Sequence, residues 1–389
     1  MKSYISSRVE QLKPSGIRRF FDLAGSMEGV ITLGVGEPDF TTPWSICHAA
    51  IQSMERGYTT YTEMEGLLEL RREISLYMDR RFHLSYSPDK EILITVGGSQ
   101  ALDITLRAIL NPDDEVLIIE PSYVAYEALV SLAGGKPIPI RTSIDKEFKP
   151  QPQQIREAIS PRTKAIILCF PNNPTGSLLD RNELKALADI IIEHDLFVLS
   201  DEIYAELTYE EGAFSSIASI KGMRERTIVV SGFSKGFAMT GWRLGYLCAP
   251  ESIREEILKV CQYTTISVPS MTQYGAIEAL KDGDKYAMEM RNSYRTRRDF
   301  IVRHLEEAGL KCHLPAGAFY VFPSIKETGL TSEEFAEKLL TQHKVAVVPG
   351  NAFGDSGEGH VRCSYATSMD KIKEAMKRIK QFVDHLNKD

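Results

Sequence analysis

The chain has 389 residues, 43% of them hydrophobic and 25% charged, which is ordinary globular composition with room for a large core and a second, smaller domain. The formal net charge of -7 and the lack of a dense basic run argue against nucleic acid as a partner. Apolar runs such as 165–170 are far too short to cross a bilayer, and residues 1–10 lack the apolar core of a signal peptide.

The cysteines and histidines exclude two further classes of protein. The six cysteines are scattered and form no C-x-x-C pair, which is typical of reduced thiols in a cytoplasmic protein. The eight histidines show no metal-ligand spacing such as H-E-x-x-H, so we expect no metal site. We find no internal repeat, low-complexity segment or flexible linker.

The N-terminal part predicts an arm and a short helix, with a break at 14–16, before the first apolar stretch. That stretch runs into the turn sequence Gly36-Glu-Pro-Asp-Phe40. Gly34 and Gly36 invite comparison with a dinucleotide-binding loop, but the third glycine position holds Asp39 and a proline precedes it. A nicotinamide-dependent oxidoreductase is therefore disfavoured.

Two helices are predicted next, over about 44–56 and 67–81, with a loop at 57–66 between them. The second helix is amphipathic, so one of its faces is expected to pack on the core. The loop carries Tyr61, which by itself is equally well interpreted as an aromatic anchor at a loop edge.

A glycine-rich segment then joins a strand to a helix. The strand is predicted at 92–96, the segment Gly97-Gly-Ser-Gln100 as a tight turn, and the helix from Ala101 to Leu110. A glycine turn that opens a helix aims several backbone N–H groups at one point, with the helix dipole behind them. Such a point suits a phosphate group, although glycine turns of this kind are common.

Three further apolar strands each lead directly to polar or aromatic side chains. They are the strand at 115–119, followed by Tyr123; the strand at 164–170, followed by Pro171-Asn-Asn-Pro-Thr-Gly176; and, after a helix at 181–193, the strand at 196–200, followed by Asp201 and Tyr204. An aromatic ring just past a strand end, such as Tyr123, can stack on a planar ligand. An acid in the position of Asp201 can instead be a simple N-cap.

A strand at 227–230 leads to Lys235, and Arg243 follows eight residues later, directly before a second apolar run at 244–249. Small residues surround the lysine, so a ligand can approach the backbone closely. A lysine in a loop is usually a solvated surface residue. A desolvated amine beside another cation has a lowered pKa instead, and it can attack a carbonyl group.

The C-terminal part predicts helices and short strands. They are a helix from 251 into the 260s that Pro269 interrupts, a long charged helix over about 285–308 that crosses between two domains, and strands at 317–322, 345–350 and 360–366. The last strand carries Arg362, and an arginine on a short strand is more often exposed than functional.

Candidate residues in five loops share one placement, just past the carboxyl end of an apolar strand. The loops concerned are 97–100, 121–123, 171–176, 201–204 and 231–235. Open, mostly parallel α/β sheets bind ligands at this edge. Five loops that converge there predict an α/β fold with one composite ligand site.

The segment 231–246, S-G-F-S-K-G-F-A-M-T-G-W-R-L-G-Y, together with G-E-P-D-F, P-N-N-P-T-G and R-x-S-Y-A, resembles the class I/II aminotransferases. These are fold type I enzymes that depend on pyridoxal 5'-phosphate, and the resemblance covers nearly the whole chain. It implies a large domain with a mostly parallel seven-stranded sheet between helices, and a smaller α+β domain. Residues 1–45 would form the arm and part of the small domain, 46–285 the large cofactor-binding domain, and 286–389 the small domain.

The resemblance also implies a role for each matched residue. The implied catalytic residues are Lys235, which would hold the cofactor as a Schiff base and move the substrate proton, Asp201, which would pair with the ring nitrogen, and Tyr204, which would donate to the phenolic oxygen. Further implied cofactor contacts are Gly98, Ser99, Gln100, Ser234 and Arg243 at the phosphate, Tyr123 on the ring, Asn173 at the phenolic oxygen, and Tyr61 reaching the phosphate of the other subunit in a homodimer. The implied substrate-binding residues are Gly36, Asn173 and Arg362.

The implied reaction is a ping-pong transamination from an L-amino acid to a 2-oxo acid, with glutamate and 2-oxoglutarate as one couple. The segment 262–270 lacks the arginine by which the aspartate-specific branch binds a side-chain carboxylate. The branch with the most similar motifs contains aspartate, aromatic, alanine and N-acetyl-diaminopimelate aminotransferases, so the donor stays open. The alternative is a C–S β-lyase of the same fold. A non-catalytic regulator is disfavoured, because it would carry an N-terminal DNA-binding domain before the enzyme arm.

Overall fold

The computed structural model describes residues 4–12, 25 and 27–386, so the predicted break at 14–16 lies outside the described residues. The described helices are α1 (Ser7–Glu10), α2 (Trp44–Glu55), α3 (Leu68–Phe82), α4 (Gly97–Ile109), α5 (Ala125–Leu132), α6 (Pro152–Ala158), α7 (Arg181–Glu193), α8 (Glu251–Thr264), α9 (Ser270–Asp282), α10 (Asp284–Glu307), α11 (Ser332–His343) and α12 (Met369–Leu386). The strands are β1 (Ile31–Thr32), β2 (Ile92–Thr95), β3 (Glu115–Glu120), β4 (Lys136–Arg141), β5 (Thr163–Cys169), β6 (Phe197–Asp201), β7 (Thr227–Gly232), β8 (Gly245–Cys248), β9 (Tyr320–Val321), β10 (Val345–Ala346), β11 (Val348–Pro349) and β12 (Val361–Ser364).

The largest sheet has seven strands in the order β2-β8-β7-β6-β5-β3-β4, as the resemblance implied. Strand β8 runs antiparallel to both of its neighbours, and all other pairs in the sheet are parallel. The strands read as continuous apolar runs because helices cover both faces. The predicted mostly parallel α/β sheet is therefore confirmed.

Alternate side chains of one strand show how the two faces are covered. In β3, Val116 and Ile118 join a core with α4 and α8, whereas Leu117 and Ile119 join a core with α7. Successive residues of a strand point to opposite faces, so β3 is buried between two helical layers. The sheet is the central layer of this part of the protein.

The C-terminal residues build a second, smaller arrangement. Strands β11, β12 and β9 form an antiparallel sheet, and β10 pairs in parallel with β1 from the N-terminal arm. Side chains of α10, α11 and α12 share one core with these strands. The division at residues 45 and 285 stays a prediction.

Most predicted elements agree with the observed bounds to within one or two residues, but two predictions are wrong. Residues 97–100 are the first turn of α4 and not a separate turn before it. The Gln100 side-chain oxygen accepts the Val96 N–H at 2.6 Å and so closes the start of this helix. The predicted strand at 345–350 is two strands, because β10 pairs with β1 while β11 pairs with β12.

Among the helices of residues 4–12 and 27–386, none is long and apolar enough to cross a membrane. In the same part of the chain no group of three or more His, Cys, Asp or Glu side chains is placed to hold a metal ion. The six cysteines are free thiols.

An ion pair between a partly exposed arginine and a buried carboxylate ties α3 to the loop after β6. Arg81 donates to both carboxylate oxygens of Glu206, at 2.9 and 2.7 Å, and the Tyr77 hydroxyl donates to the same carboxylate at 2.5 Å. The side chain of Glu206 is 9% exposed and that of Arg81 is 35% exposed. A Cβ atom on Gly236 would lie 3.0 Å from the Glu206 Cβ, so the aliphatic part of this side chain packs beside the backbone that follows Lys235.

We predict that Arg81→Met lowers the free energy of unfolding by about 2 kcal/mol, because the buried charge of Glu206 then keeps only the neutral Tyr77 hydroxyl as a partner. The matched control is Arg80→Met on the same helix, since Arg80 pairs with Asp284 and both side chains are about half exposed. An exposed pair contributes below about 1 kcal/mol. Urea unfolding of the two variants measures the difference, and equal losses would contradict the burial argument.

Candidate active site

The direction of the strands decides which side chains meet. Parallel strands place their carboxyl ends at one edge of the sheet, and β8, being antiparallel, places its amino end there. Both Thr95 and Gly232, the last residues of β2 and β7, pair with Gly245, the first residue of β8. Arg243, two residues before β8, therefore comes to the edge that also carries Lys235.

The start of α4 and the start of β8 form a tight glycine-lined cradle. A Cβ atom on Gly97 would lie 2.9 Å from Arg243 Nη2, and one on Gly245 would lie 2.7 Å from the backbone nitrogen of Gly98. Arg243 itself adopts a left-handed backbone with φ of 52°. Helix N–H groups and a guanidinium group that share one point suit an anion such as a phosphate.

Ser99 is exposed at this cradle, whereas the side chain of Gln100 is engaged within the chain. The Gln100 amide oxygen accepts the Val96 N–H, and its amide nitrogen donates to the Thr265 hydroxyl. Both polar atoms of the Gln100 side chain therefore already have partners within the chain. Ser234, beside Lys235, is buried.

Asp201 is the last residue of β6 and is only 7% exposed. The Tyr126 hydroxyl donates to one carboxylate oxygen at 2.7 Å, and the Ile203 N–H donates to the other at 3.2 Å. Burial raises the pKa of Asp201, while these two donors and the positive charge of Lys235 oppose the rise. Within the described part of the chain no cation forms an ion pair with this carboxylate, so a cationic ligand atom would complete it.

Two aromatic residues frame the acid. The rings of Tyr123 and Tyr126 meet edge to face with centroids 5.5 Å apart. The Tyr126 hydroxyl is bound to Asp201, whereas Tyr123 is only partly buried and borders the cradle through Ser99. Tyr126, on α5, is a site residue that the sequence did not reveal, because its position resembles any core tyrosine of a helix.

The amine of Lys235 donates to the carbonyl oxygen of Gly36 at 2.6 Å. Burial, together with the positive charges of Arg362 and Arg243, lowers the pKa of Lys235 to about 8, while the negative charges of Glu37 and Asp201 oppose the decrease. About a tenth of the amines are then neutral at pH 7. A neutral amine of this kind is a competent nucleophile toward a carbonyl group.

Arg362 lies on β12 and is 4% exposed. Its Nη1 donates to the Asn173 side-chain oxygen at 2.9 Å, and its Nη2 donates to the Gly34 carbonyl at 2.7 Å. The guanidinium carbon lies 4.4 Å from the ring centre of Tyr320 and 4.9 Å from that of Phe353. The buried Nε finds no hydrogen-bond partner among the described residues, which leaves a donor for an anionic ligand.

Tyr204, three residues after Asp201, is 4% exposed, and its hydroxyl lies 2.9 Å from the hydroxyl of Tyr320. A Cβ atom on Gly36 would lie 2.8 Å from that Tyr320 oxygen, so Tyr320 fills the space beside Gly36. Sequence reasoning assigned Tyr320 only to a short strand, since nothing in its neighbours distinguishes it from a core residue. Tyr61, in contrast, is 83% exposed in the single chain.

These groups fit pyridoxal phosphate. A buried carboxylate without a cation suits a protonated ring nitrogen, an amine of lowered pKa suits an aldehyde, and the cationic glycine cradle suits a phosphate. Tyr204 and Asn173 add a hydroxyl and an amide beside these three groups. The fold and the site together define an enzyme of the pyridoxal-phosphate-dependent class.

Comparisons with known proteins specify the family. The family "Aminotransferase class I and II" matches residues 28–379. YugH of Bacillus subtilis, whose name gives an aminotransferase and no substrate, is 57% identical over 98% of this chain and 99% of its own. The aspartate aminotransferase of Pyrococcus abyssi is 46% identical over 97% of each chain. A solved structure of aspartate aminotransferase from Thermus thermophilus, a double mutant, superposes with a TM-score of 0.93 at 39% identity, covering 98% of this chain and 100% of that one.

The chain therefore belongs to the class I and II aminotransferases and is a pyridoxal-phosphate-dependent transaminase. The predicted enzyme class and cofactor are confirmed. The alternative of a C–S β-lyase is not favoured, because the relatives named above are aminotransferases.

A second buried acid lies directly beside Asp201. Glu202 is 4% exposed, and the hydroxyls of Ser200 and Ser216 both donate to its Oε1, at 2.7 and 2.5 Å. Its Oε2 is buried and has no hydrogen-bond partner in the described residues. Burial raises the pKa of Glu202 from 4.5 to about 7.

This pKa predicts how stability changes with pH. Between pH 4.5 and about 7 the folded chain keeps a proton on Glu202 that the unfolded chain has released, so the stability falls as the pH rises. Glu202→Gln is neutral and nearly isosteric, so its free energy of unfolding should not fall in this way. We expect the difference in free energy of unfolding between this variant and the wild type to shift in favour of the variant by up to about 3 kcal/mol from pH 5 to pH 8. Urea unfolding at both pH values measures the gain. The exposed Glu157→Gln is the control, and an equal pH response in both variants would contradict the assignment.

Proposed function

We propose that the chain moves an amino group from an L-amino acid to a 2-oxo acid by a ping-pong reaction, with glutamate and 2-oxoglutarate as one couple. One observation carries the proposal: Lys235 and Arg362 bind carbonyl oxygens only two residues apart, those of Gly36 and Gly34. A proton-accepting amine and a carboxylate-binding guanidinium thus lie at the two ends of a short segment, as an α-amino acid requires. Because donor and acceptor would use the same arginine, they would bind in turn.

The cofactor would be held by residues from each loop of the sheet edge. The proposed contacts are Asp201 with the ring nitrogen, Tyr204 and Asn173 with the phenolic oxygen, Tyr123 with the ring face, and Gly98, Ser99, Gln100, Ser234 and Arg243 with the phosphate. Bound pyridoxal phosphate withdraws electrons from the substrate α-carbon and so acidifies its C–H bond. Asp201 would stabilise the positive charge on the ring nitrogen, because the carboxylate is buried and otherwise has only neutral donors.

Lys235 would accept the proton from the substrate α-carbon and deliver it to the C4′ atom of the cofactor, since its lowered pKa lets a neutral amine form near neutral pH. Arg362 would orient the substrate through the substrate carboxylate. Its contacts with two aromatic rings favour a fixed guanidinium plane, and its Nε is free to donate. Gly36 would admit the substrate, because any side chain there would meet the Tyr320 hydroxyl.

The complete site would need a second copy of the chain. Tyr61 is 83% exposed and Tyr263, on α8, is 90% exposed, as expected of side chains that a homodimer partner covers. We propose a cytoplasmic homodimer in which Tyr61 of one copy reaches the cofactor phosphate of the other. The free thiols agree with a reducing compartment.

The relatives support several donors. Their names include aspartate, aromatic-amino-acid and N-acetyl-LL-diaminopimelate aminotransferases. The segment 262–270 contains no arginine that would bind a second substrate carboxylate. No residue of this segment therefore selects one donor, and half-reactions with single amino acids would identify the donor.

The absorbance spectrum of the purified, cofactor-loaded protein tests the proposed reaction. We expect the visible band to bleach with the donor amino acids and to return when 2-oxoglutarate is added. Lys235→Ala should fold and still lose steady-state turnover by about a thousandfold or more, since both the nucleophile and the proton acceptor are gone. Pyruvate released from cystathionine, with no return of the band, would instead support the lyase.

Arg362→Lys tests the carboxylate site. We expect kcat/KM for amino acids to fall about a hundredfold, because lysine cannot form the bidentate pair and leaves Asn173 and the Gly34 carbonyl unsatisfied. The control is Arg298→Lys, since Arg298 is also buried and lies over a tyrosine ring, that of Tyr209, at 4.7 Å. This control should lower stability and leave kcat/KM within about twofold. Equal kinetic losses in both variants would remove Arg362 from its role.

A further inference from the structure

Tyr320, on β9, contacts two side chains of the site that have different proposed roles. It is 1% exposed, and its hydroxyl lies 2.9 Å from the Tyr204 hydroxyl. The face of its ring lies 4.4 Å from the guanidinium carbon of Arg362. One side chain thus touches both the tyrosine proposed for the phenolic oxygen and the arginine proposed for the substrate carboxylate.

We propose that Tyr320 is a positioning residue that acts on the cofactor through Tyr204 and on the substrate through Arg362. The inference rests on the proposed roles of those two residues and adds a third residue that controls both. Its hydroxyl sets the strength of the Tyr204 donor, and its ring fixes the plane of the Arg362 guanidinium. The two effects belong to different atoms of Tyr320, so they can be separated by substitution.

The proposed effect of the Tyr320 hydroxyl on Tyr204 follows from counting the hydrogen-bond donors. Each tyrosine has one O–H donor and an oxygen that accepts. If the Tyr204 proton is given to the phenolic oxygen of the cofactor, the contact with Tyr320 survives only when Tyr320 is the donor. A hydroxyl that accepts one hydrogen bond becomes a better donor in the next one, by roughly 10–30% per bond. Tyr320 would therefore strengthen the donation from Tyr204.

The proposed effect of the Tyr320 ring on Arg362 follows from the burial of the arginine. Arg362 is 4% exposed and has neutral hydrogen-bond partners only, so the electron-rich face of Tyr320 partly replaces the water that the cation has lost. The ring of Phe353 lies 4.9 Å from the same guanidinium carbon and adds a second aromatic contact. A guanidinium held in one plane presents its free Nε in one direction, which favours one orientation of the carboxylate.

The test compares Tyr320→Phe with Tyr320→Leu in the cofactor-loaded protein. A donor to the phenolic oxygen stabilises negative charge there and lowers the pH at which the chromophore loses its proton. Tyr320→Phe should therefore raise the midpoint of the absorbance-versus-pH titration by about 0.3 units, with an unchanged KM. Tyr320→Leu, which also removes the ring, should in addition raise the KM for amino acids about fivefold to thirtyfold.

A double-mutant comparison tests whether the hydroxyl acts through Tyr204. In a Tyr204→Phe background, Tyr320→Phe should no longer move the midpoint, because the intermediate hydroxyl is gone. The matched control is Tyr365→Phe, since Tyr365 and Tyr209 form another buried hydroxyl pair of 2.9 Å in the same core. This control should leave both the midpoint and KM unchanged.

The outcomes separate this inference from the proposed function. A wild-type protein that shows no cofactor absorbance or no amino-acid-dependent bleaching would refute the proposed function itself. If the wild type is active but Tyr320→Phe does not raise the titration midpoint, the proposed effect of the hydroxyl is wrong. The same holds if the shift persists in the Tyr204→Phe background. An unchanged KM in Tyr320→Leu would show that the proposed effect of the ring on Arg362 is wrong.

Discussion

The site depends on three charged groups that are buried together without forming ion pairs with one another. Asp201 and Arg362 are almost completely buried, and Lys235 is largely so. Burying a charge is costly unless hydrogen bonds or an opposite charge compensate it. Here the compensation comes from neutral groups, namely the Tyr126 hydroxyl, the Asn173 amide and two backbone carbonyls. The charges therefore stay available to a ligand that brings the opposite charges. Their burial without ion pairs lowers the free energy of unfolding of the protein without ligand.

The backbone carbonyls come from the segment between β1 and α2, which links the two halves of the molecule. Strand β1 pairs with β10, and the Leu33 carbonyl accepts the Ser364 N–H at 2.6 Å, two residues beyond Arg362. Three residues after Leu33, the carbonyl of Gly36 accepts a hydrogen bond from Lys235 on the loop after β7. An amino-terminal segment thus holds a lysine of the large sheet and an arginine of the small sheet at once. Any shift of this segment would move both groups together.

Several features could not be predicted because they depend on position in the sheet. The segment Lys136–Arg141 contains two prolines and gave no strand signal, yet it forms β4. Proline is tolerated there because β4 lies at the edge of the sheet, where one side of the strand has no partner. Likewise, Tyr126 and Tyr320 look like core aromatics in the sequence. Their hydroxyls became site groups only because α5 and β9 pack against the carboxyl ends of the strands.

The sequence by itself determined the fold class and the residues at the strand ends, because apolar strand runs and the polar loops that follow them are local properties of the chain. The cofactor followed from the resemblance of the motifs around Lys235, Asn173 and Arg362 to a known family. Tertiary structure alone decided how the charges are compensated. It brought the carbonyls of Gly34 and Gly36 to Arg362 and Lys235, and the hydroxyl of Tyr320 to Tyr204, across 328, 199 and 116 residues respectively. Contacts over such separations follow from strand order and domain packing, which no local pattern of side chains encodes.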